Sequence, residues 1–189
     1  MSITCIIPAY NEEKRIGSVL STVKQVDAID RIIVVSDGSK DRTAEIARSC
    51  GVDVIELKEN IGKGGAIKVA IDNCTSDILL FLDADLIGLK SYHIMDLLKP
   101  VVNGEADMTV GVFSGGRLST DLAQKLVPHL SGQRAMKRYV ADRIPDIDMT
   151  RYGVEVAITM FAEKEDIKVR EVILKDMTHF TKEEKLGLV

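Results

Sequence analysis

The sequence has no tryptophan, and aromatic residues make up only 4% of its 189 positions. Proteins that hold single-stranded nucleic acid stack its bases on aromatic side chains, so that class is disfavoured. An excess of basic charge is missing as well: 25 Lys and Arg stand against 29 Asp and Glu, a formal net charge of -4. No global field draws such a chain to nucleic acid or anionic lipid. An anionic substrate would need local cations or a metal. Cysteine is sparse, limited to Cys5, Cys50 and Cys74 with no close pair. The expectation is reduced thiols in a cytoplasmic protein, not a disulfide framework or a zinc site. The N-terminus has neither a basic start nor a long apolar run, so no leader peptide is expected. The densest apolar stretches, Ile32–Val35 and Ile78–Leu82, are strand-sized. A membrane span needs about 20 such residues, so any membrane contact would be peripheral.

What is present reads as one soluble α/β domain. The hydrophobic fraction is 46% and the charged fraction 29%, ordinary values for a globular chain. Short apolar runs alternate with segments of helical period. Strands are expected at Thr4–Ile7 (ending at Pro8), Arg31–Ser36, Val52–Leu57, Asp77–Leu82 and Met108–Val112. Between them lie helices at Glu12–Val26, Asp41–Ser49 (capped by Ser39 or Asp41 and stopped by Gly51), Gly64–Asn73 and Ser91–Leu98 (ended by Pro100). This order implies a mainly parallel sheet with helices on both faces. Beyond Gly115 the pattern turns helical: Leu118–Val140 with breaks near Pro128 and Gly132, then Gly153–Ala162, with a strand at Ile167–Leu174 and a polar tail.

In an open parallel sheet, ligands bind outside the carboxyl ends of the strands. The loops at those exits read PAYNEE, SDGSKDRT, ENIGKGGA and DADL. Asp83 and Asp85 follow the most apolar strand. Residues i and i+2 of extended chain point the same way, and two neighbouring carboxylates favour a shared hard cation such as magnesium. A capped, solvated turn is the plainer reading. Asp37 ends the second strand, where an acid commonly meets a ribose or base, although Asp-Gly is also an ordinary turn. Asp41 reads as a helix cap. Gly62, Gly64 and Gly65 allow close backbone approach at a helix start that favours anions, and Lys63 could neutralise a diphosphate. The segment is no Walker A loop, and no G-x-G-x-x-G follows the first strand, which disfavours a dinucleotide-dependent dehydrogenase.

PAYNEE, VVSDGSKDRT, GKGGAI and FLDADL together resemble glycosyltransferase family 2, over about Ile3–Leu86. SGQRA and YGVEVAIT, further on, look like later motifs of that family. The resemblance implies the GT-A fold, an α/β Rossmann-like single domain spanning 1–189, with a nucleotide-sugar-binding half over 1–115 and an acceptor-side half over 116–189. It implies a hexosyltransferase that moves a sugar from a nucleoside-diphosphate sugar, a UDP-sugar or GDP-mannose, with Mg2+ or Mn2+. By that resemblance Pro8, Ala9, Tyr10 and Glu12 line the nucleoside pocket, Asp37 contacts the base, and Lys63, with Gly62, meets the base or diphosphate. Asp83 and Ala84 sit near the ribose or metal, and Asp85 ligates the metal.

A further metal ligand on this fold often comes from near the C-terminus, which makes His179 the candidate; His93 and His129 read as structural. Gly132, Gln133 and Arg134 match a segment that meets the acceptor or departing phosphates, Arg suiting phosphate through its planar fork. Glu155 stands where many inverting relatives carry a Glu-Asp pair, but the Asp is missing, which leaves inversion or retention open. Glu155 could be a base, an acceptor contact or a helix cap. If the acceptor is already an anion, such as a phosphate, no strong base is required; YGVE with SGQRA looks closer to the polyprenyl-phosphate and phosphoglycerate glycosyltransferases than to the large polysaccharide synthases. Leu118, Leu122, Leu126 and Leu130 form a stripe suited to the core, a homodimer contact or, less often, a bilayer surface. Two other functions remain: a sugar-phosphate nucleotidyltransferase, whose Gly- and Arg-rich N-terminal loop is missing, and a nucleotide-sugar-binding regulatory domain without turnover.

Overall fold

The computed structural model describes residues 1–114, 131–145 and 153–179. Three parallel strands lead the sheet: β1 (Ile3–Ala9), β2 (Arg31–Ser36) and β3 (Asp53–Glu56). They are followed by β4 (Ile78–Phe81), the short β5 (Leu86–Ile87) and β6 (Met108–Ser114). Then come β7 (Arg134–Lys137), β8 (Val169–Lys175) and β9 (Thr178–His179). Seven strands form one sheet in the order β3-β2-β1-β4-β7-β6-β8, and β5 pairs with β9 in a separate ribbon. β1 lies parallel to β2 and β4, and β2 to β3. β7 runs antiparallel between β4 and β6, and β8 lies parallel to β6.

Helices cover both faces. α1 (Ile16–Val23), α2 (Thr43–Ser49) and α4 (Ser91–Val102) pack on one face with Cys5, Ile7, Val34, Leu80 and Leu82. α3 (Gly62–Asp72), α5 (Arg138–Arg143) and α6 (Val154–Lys164) pack on the other with Ile6, Ile33, Val35, Leu79 and Phe81. The strand side chains alternate between the two cores, which is why strands buried on both sides read as unbroken apolar runs.

Three expectations are corrected. β1 does not stop at Pro8 but continues to Ala9. The Ile6 carbonyl accepts from Leu82 N–H and the Ala9 carbonyl from Asp37 N–H, so the missing donor of Pro8 falls on the β4 side. The last β1–β4 pair there is Ile6 with Phe81, so the β1–β4 ladder ends where the proline offers no donor while the pairing with β2 continues to Ala9. Helix α4 runs through Pro100 to Val102. A late proline removes one intrahelical bond; the buried Pro100 and Val101 anchor the last turn, and the Pro100 carbonyl accepts from Glu105 and Ala106 N–H. Finally, Arg134–Lys137, expected to be helical, is strand β7. Its backbone fills the gap between β4 and β6, so tertiary pairing overrides local preference. The leucine stripe and His129 lie outside the described residues. Among the described residues no helix is long and apolar enough to cross a membrane.

Candidate active site

The first two strand exits are stitched to each other. Asn11, with φ of 55°, donates its N–H to Ser39 Oγ at 3.2 Å and accepts Lys40 N–H on Oδ1 at 2.8 Å. Glu12 N–H donates to Thr43 Oγ1 at 2.8 Å, and Glu13 N–H to Asp41 Oδ2 at 3.0 Å. Asp41 Oδ1 accepts Thr43 N–H at 3.0 Å at the first residue of α2, one position ahead of Arg42, which occupies the cap position itself. Much of the polarity in these loops therefore holds backbone in place. Gly38 has φ of 66°, and a Cβ there would lie 2.5 Å from Asn60 N. Only glycine lets the second loop lie against the third.

Asp37 is 3% exposed. Its Oδ1 accepts Ile61 N–H at 2.8 Å and its Oδ2 accepts Gly62 N–H at 3.0 Å. The negative charge at the start of α3 is thus supplied by the protein. Of the three glycine N–H groups expected to favour an anion, that of Gly62 is already engaged by Asp37.

Lys63, one residue further on, points into a carboxylate cluster. Its Nζ donates to Asp83 Oδ1 and to Glu155 Oε1, each at 2.5 Å. Gln133 Nε2 donates to Asp83 Oδ2 at 2.9 Å. Gly132 leaves the space this needs: a Cβ there would lie 2.6 Å from Lys63 Nζ and 2.8 Å from Asp83 Oδ1. Burial works against the lysine's charge, but the two carboxylates outweigh it and raise its pKa above the ordinary lysine value. Chain segments far apart in sequence, at Lys63, Asp83, Gln133 and Glu155, therefore meet at one point.

Lys63 and Asp83 border a cleft of about 430 Å3, whose lining also holds Pro8, Ala9, Tyr10, Glu12, Asp37, Asn60, Gly62, Ala84 and Asp85. The structure brings together on one wall every residue assigned to nucleotide-sugar contact from the sequence. It adds Asn60, whose only sequence signal was its place beside the glycines. The lining holds four acids, Glu12, Asp37, Asp83 and Asp85, against one lysine. A polyphosphate entering such a space requires a compensating cation, and carboxylate oxygens suit hard divalent ions. Asp85 lies in the turn before β5, and Leu86 is paired with His179 across the β5–β9 ribbon. The backbone of His179 is thereby laid beside that of Asp85. Among the described side chains no three metal-binding groups converge.

Arg134 is placed differently from a phosphate clamp. It is 1% exposed, donating from Nε to the Ser131 carbonyl at 2.9 Å and from a terminal nitrogen to Thr159 Oγ1 at 2.8 Å and the Glu155 carbonyl at 3.2 Å. Burial lowers its pKa to about 10, opposed by Glu155. It fastens the start of β7 to the first turn of α6 and so sets where Glu155 stands.

The chain matches the profile of glycosyl transferase family 2 over residues 4–156. An uncharacterized protein of Methanocaldococcus jannaschii is 31% identical over 208 aligned positions, taking in 92% of this chain and 80% of its own length. A 4,4'-diaponeurosporenoate glycosyltransferase of Staphylococcus haemolyticus is 40% identical over 103 positions, a match spanning 51% of this chain and 27% of that enzyme. Among solved structures, glucosyl-3-phosphoglycerate synthase from Mycobacterium tuberculosis, in complex with Mn2+, UDP and glucosyl-3-phosphoglycerate, aligns with a TM-score of 0.82 at 27% identity, covering 98% of this chain and 75% of that one. The same synthase with Mg2+ and UDP aligns equally well, at 28% identity. The sheet, its rim cleft and this likeness define a glycosyltransferase of the GT-A architecture. The chain belongs to glycosyl transferase family 2. That membership sets aside both the nucleotidyltransferase and the non-catalytic domain.

Proposed function

We propose that this enzyme transfers a sugar from a nucleoside-diphosphate sugar, a UDP-sugar or GDP-mannose, to a phosphate-bearing acceptor with a divalent metal, Mg2+ or Mn2+. The observation that carries the reading is the acid-lined rim cleft with a single lysine held between Asp83 and Glu155. The solved relatives that bind UDP, UDP-glucose or phosphoglycerate with Mn2+ support the same ligand classes. The three cysteines are free thiols, which fits the cytoplasmic location included in the proposal.

Tyr10, 49% exposed at the cleft mouth, offers a face for the base, with Pro8, Ala9 and Glu12 beside it. The Asp37 carboxylate already receives two backbone N–H groups and retains lone pairs for a ring N–H such as uracil N3–H or guanine N1–H. Asp83 faces the ribose, with Ala84 and Gly62 admitting close approach. Asp85 and His179 would hold the metal, which supplies charge stabilisation to the departing diphosphate. Lys63 adds a second positive charge on the same wall. Glu155 fixes the lysine, and Arg134 fixes Glu155 through its backbone. A phosphate oxygen that attacks directly has no proton to lose; a hydroxyl of a phosphate-bearing acceptor such as 3-phosphoglycerate must pass its proton to a base, for which Glu155 is the candidate.

Asp85→Ala tests the reading. Metal-dependent transfer from UDP-glucose or GDP-mannose to 3-phosphoglycerate should disappear while the circular dichroism spectrum stays unchanged. Full turnover by this variant in the presence of chelator would refute the metal assignment.

A further inference from the structure

His93 lies outside the cleft lining, is 1% exposed on α4, and has both ring nitrogens engaged. Its Nδ1 accepts the Lys90 N–H at 3.1 Å. A backbone N–H can only donate, so the ring proton sits on Nε2. That nitrogen lies 2.8 Å from the carbonyl of Lys175 and donates to it. Lys175 is the last residue of β8. The next residue, Asp176, turns with φ of 56°, and its carbonyl presses on Gly88, where a Cβ would lie 2.3 Å away. Met177 is buried in the same core cluster as Leu86 and Leu89. Thr178 and His179 then pair with Ile87 and Leu86. The chain leaving β8 is thus gripped at the His93 ring and at Gly88 before it is laid along β5.

We propose that His93 is a positioning residue for the metal edge of the cleft: by holding the Lys175 carbonyl it sets the course of β9, and with it the placement of His179 beside Asp85. The inference rests on the metal reading given above. His93 touches no substrate and acts only through the β5–β9 ribbon.

Two substitutions separate the halves of the ring. His93→Asn retains an acceptor for Lys90 N–H but is too short to reach Lys175. His93→Gln carries an amide donor near the Nε2 position. Mn2+ affinity in the presence of UDP is read from the paramagnetic resonance signal of free Mn2+, and UDP affinity without metal by calorimetry. The Asn variant should raise the Mn2+ dissociation constant roughly tenfold, the scale of a lost ligand-orienting contact. Its metal-free UDP affinity should be unchanged, and amide exchange at Leu86 and Thr178 should quicken. The Gln variant should restore both the Mn2+ affinity and the slow amide exchange. Wild-type Mn2+ binding in the Asn variant, equal impairment of the two variants, or a matching loss of metal-free UDP binding would overturn the proposal. Should the Asn variant fail to fold, Gly88→Ala disturbs the same segment through Asp176; it should weaken Mn2+ binding alone, and undiminished Mn2+ binding there counts against the idea. Asp85→Ala run alongside tells the two readings apart. If Asp85→Ala binds Mn2+ normally, the metal reading fails; if it loses Mn2+ while His93→Asn does not, only the role of His93 falls.

Discussion

Gly132 shows how narrow the tolerance is around the lysine. A methyl group there would lie 2.6 Å from Lys63 Nζ and 2.8 and 2.9 Å from the two Asp83 oxygens. These are the ends of flexible side chains, so the backbone has no need to move and the ion pair does. Gly132→Ala should therefore melt within a few degrees of wild type yet lose about 100-fold in kcat/KM, the scale expected when a positioned group shifts by about 1 Å. Activity at wild-type level would show that the Lys63–Asp83 geometry is not used. Lys63 also makes a pH prediction. Its folded pKa is raised by Asp83 and Glu155 against the effect of burial. A raised pKa stabilises the fold fully below the unfolded value, near ~10.4, and that gain is lost as pH rises through the folded value. The melting-temperature gap between wild type and Lys63→Met should be flat across neutral pH and narrow above roughly pH 10.5. A gap that closed near neutrality would assign the titration to another group.

At the scale of elements, the join between β7 and α6 depends on Arg134. Its guanidinium reaches the Ser131 carbonyl, the Glu155 carbonyl and Thr159 Oγ1. Arg134→Met should lower unfolding free energy by about 3 kcal/mol, since it strands buried acceptors of a charged donor. Lysine should not restore it, because a single ammonium cannot reproduce the fork. Urea denaturation of the three proteins checks both statements. These elements were also the least legible in the sequence. β1, β2 and β4 announce themselves because strands covered on both faces are mostly apolar, as in Ile78-Leu79-Leu80-Phe81. Arg134-Ala135-Met136-Lys137 has neither that run nor a period, and its strand state comes from partners far off in sequence, such as Leu80 for Ala135 and Val110 for Arg134. The cleft wall was readable because each strand exit carries its own polar motif. The Lys63–Glu155 pair was not, because 92 residues separate its members.

For the whole molecule, the balance of charge along the cleft sets how ligands and stability are linked. Four acids face one lysine, so a nucleoside diphosphate should bind well only in company with a divalent ion. UDP with Mn2+ at about 100 times the dissociation constant adds about 2.7 kcal/mol. For a domain of this size that is a rise of about 5–10 °C in melting temperature. UDP alone should shift it far less, and an equal shift without metal would defeat the charge argument.

The central place of β4 bears on how the chain reaches this state. One side of β4 rests on β1, whose residues precede it, but the other waits for β7, which arrives only after residue 133. Until then the backbone of Ile78–Phe81 offers an open, wholly apolar border to any extended segment nearby. Premature termination between β6 and β7 would thus yield a fragment prone to clump with its own kind.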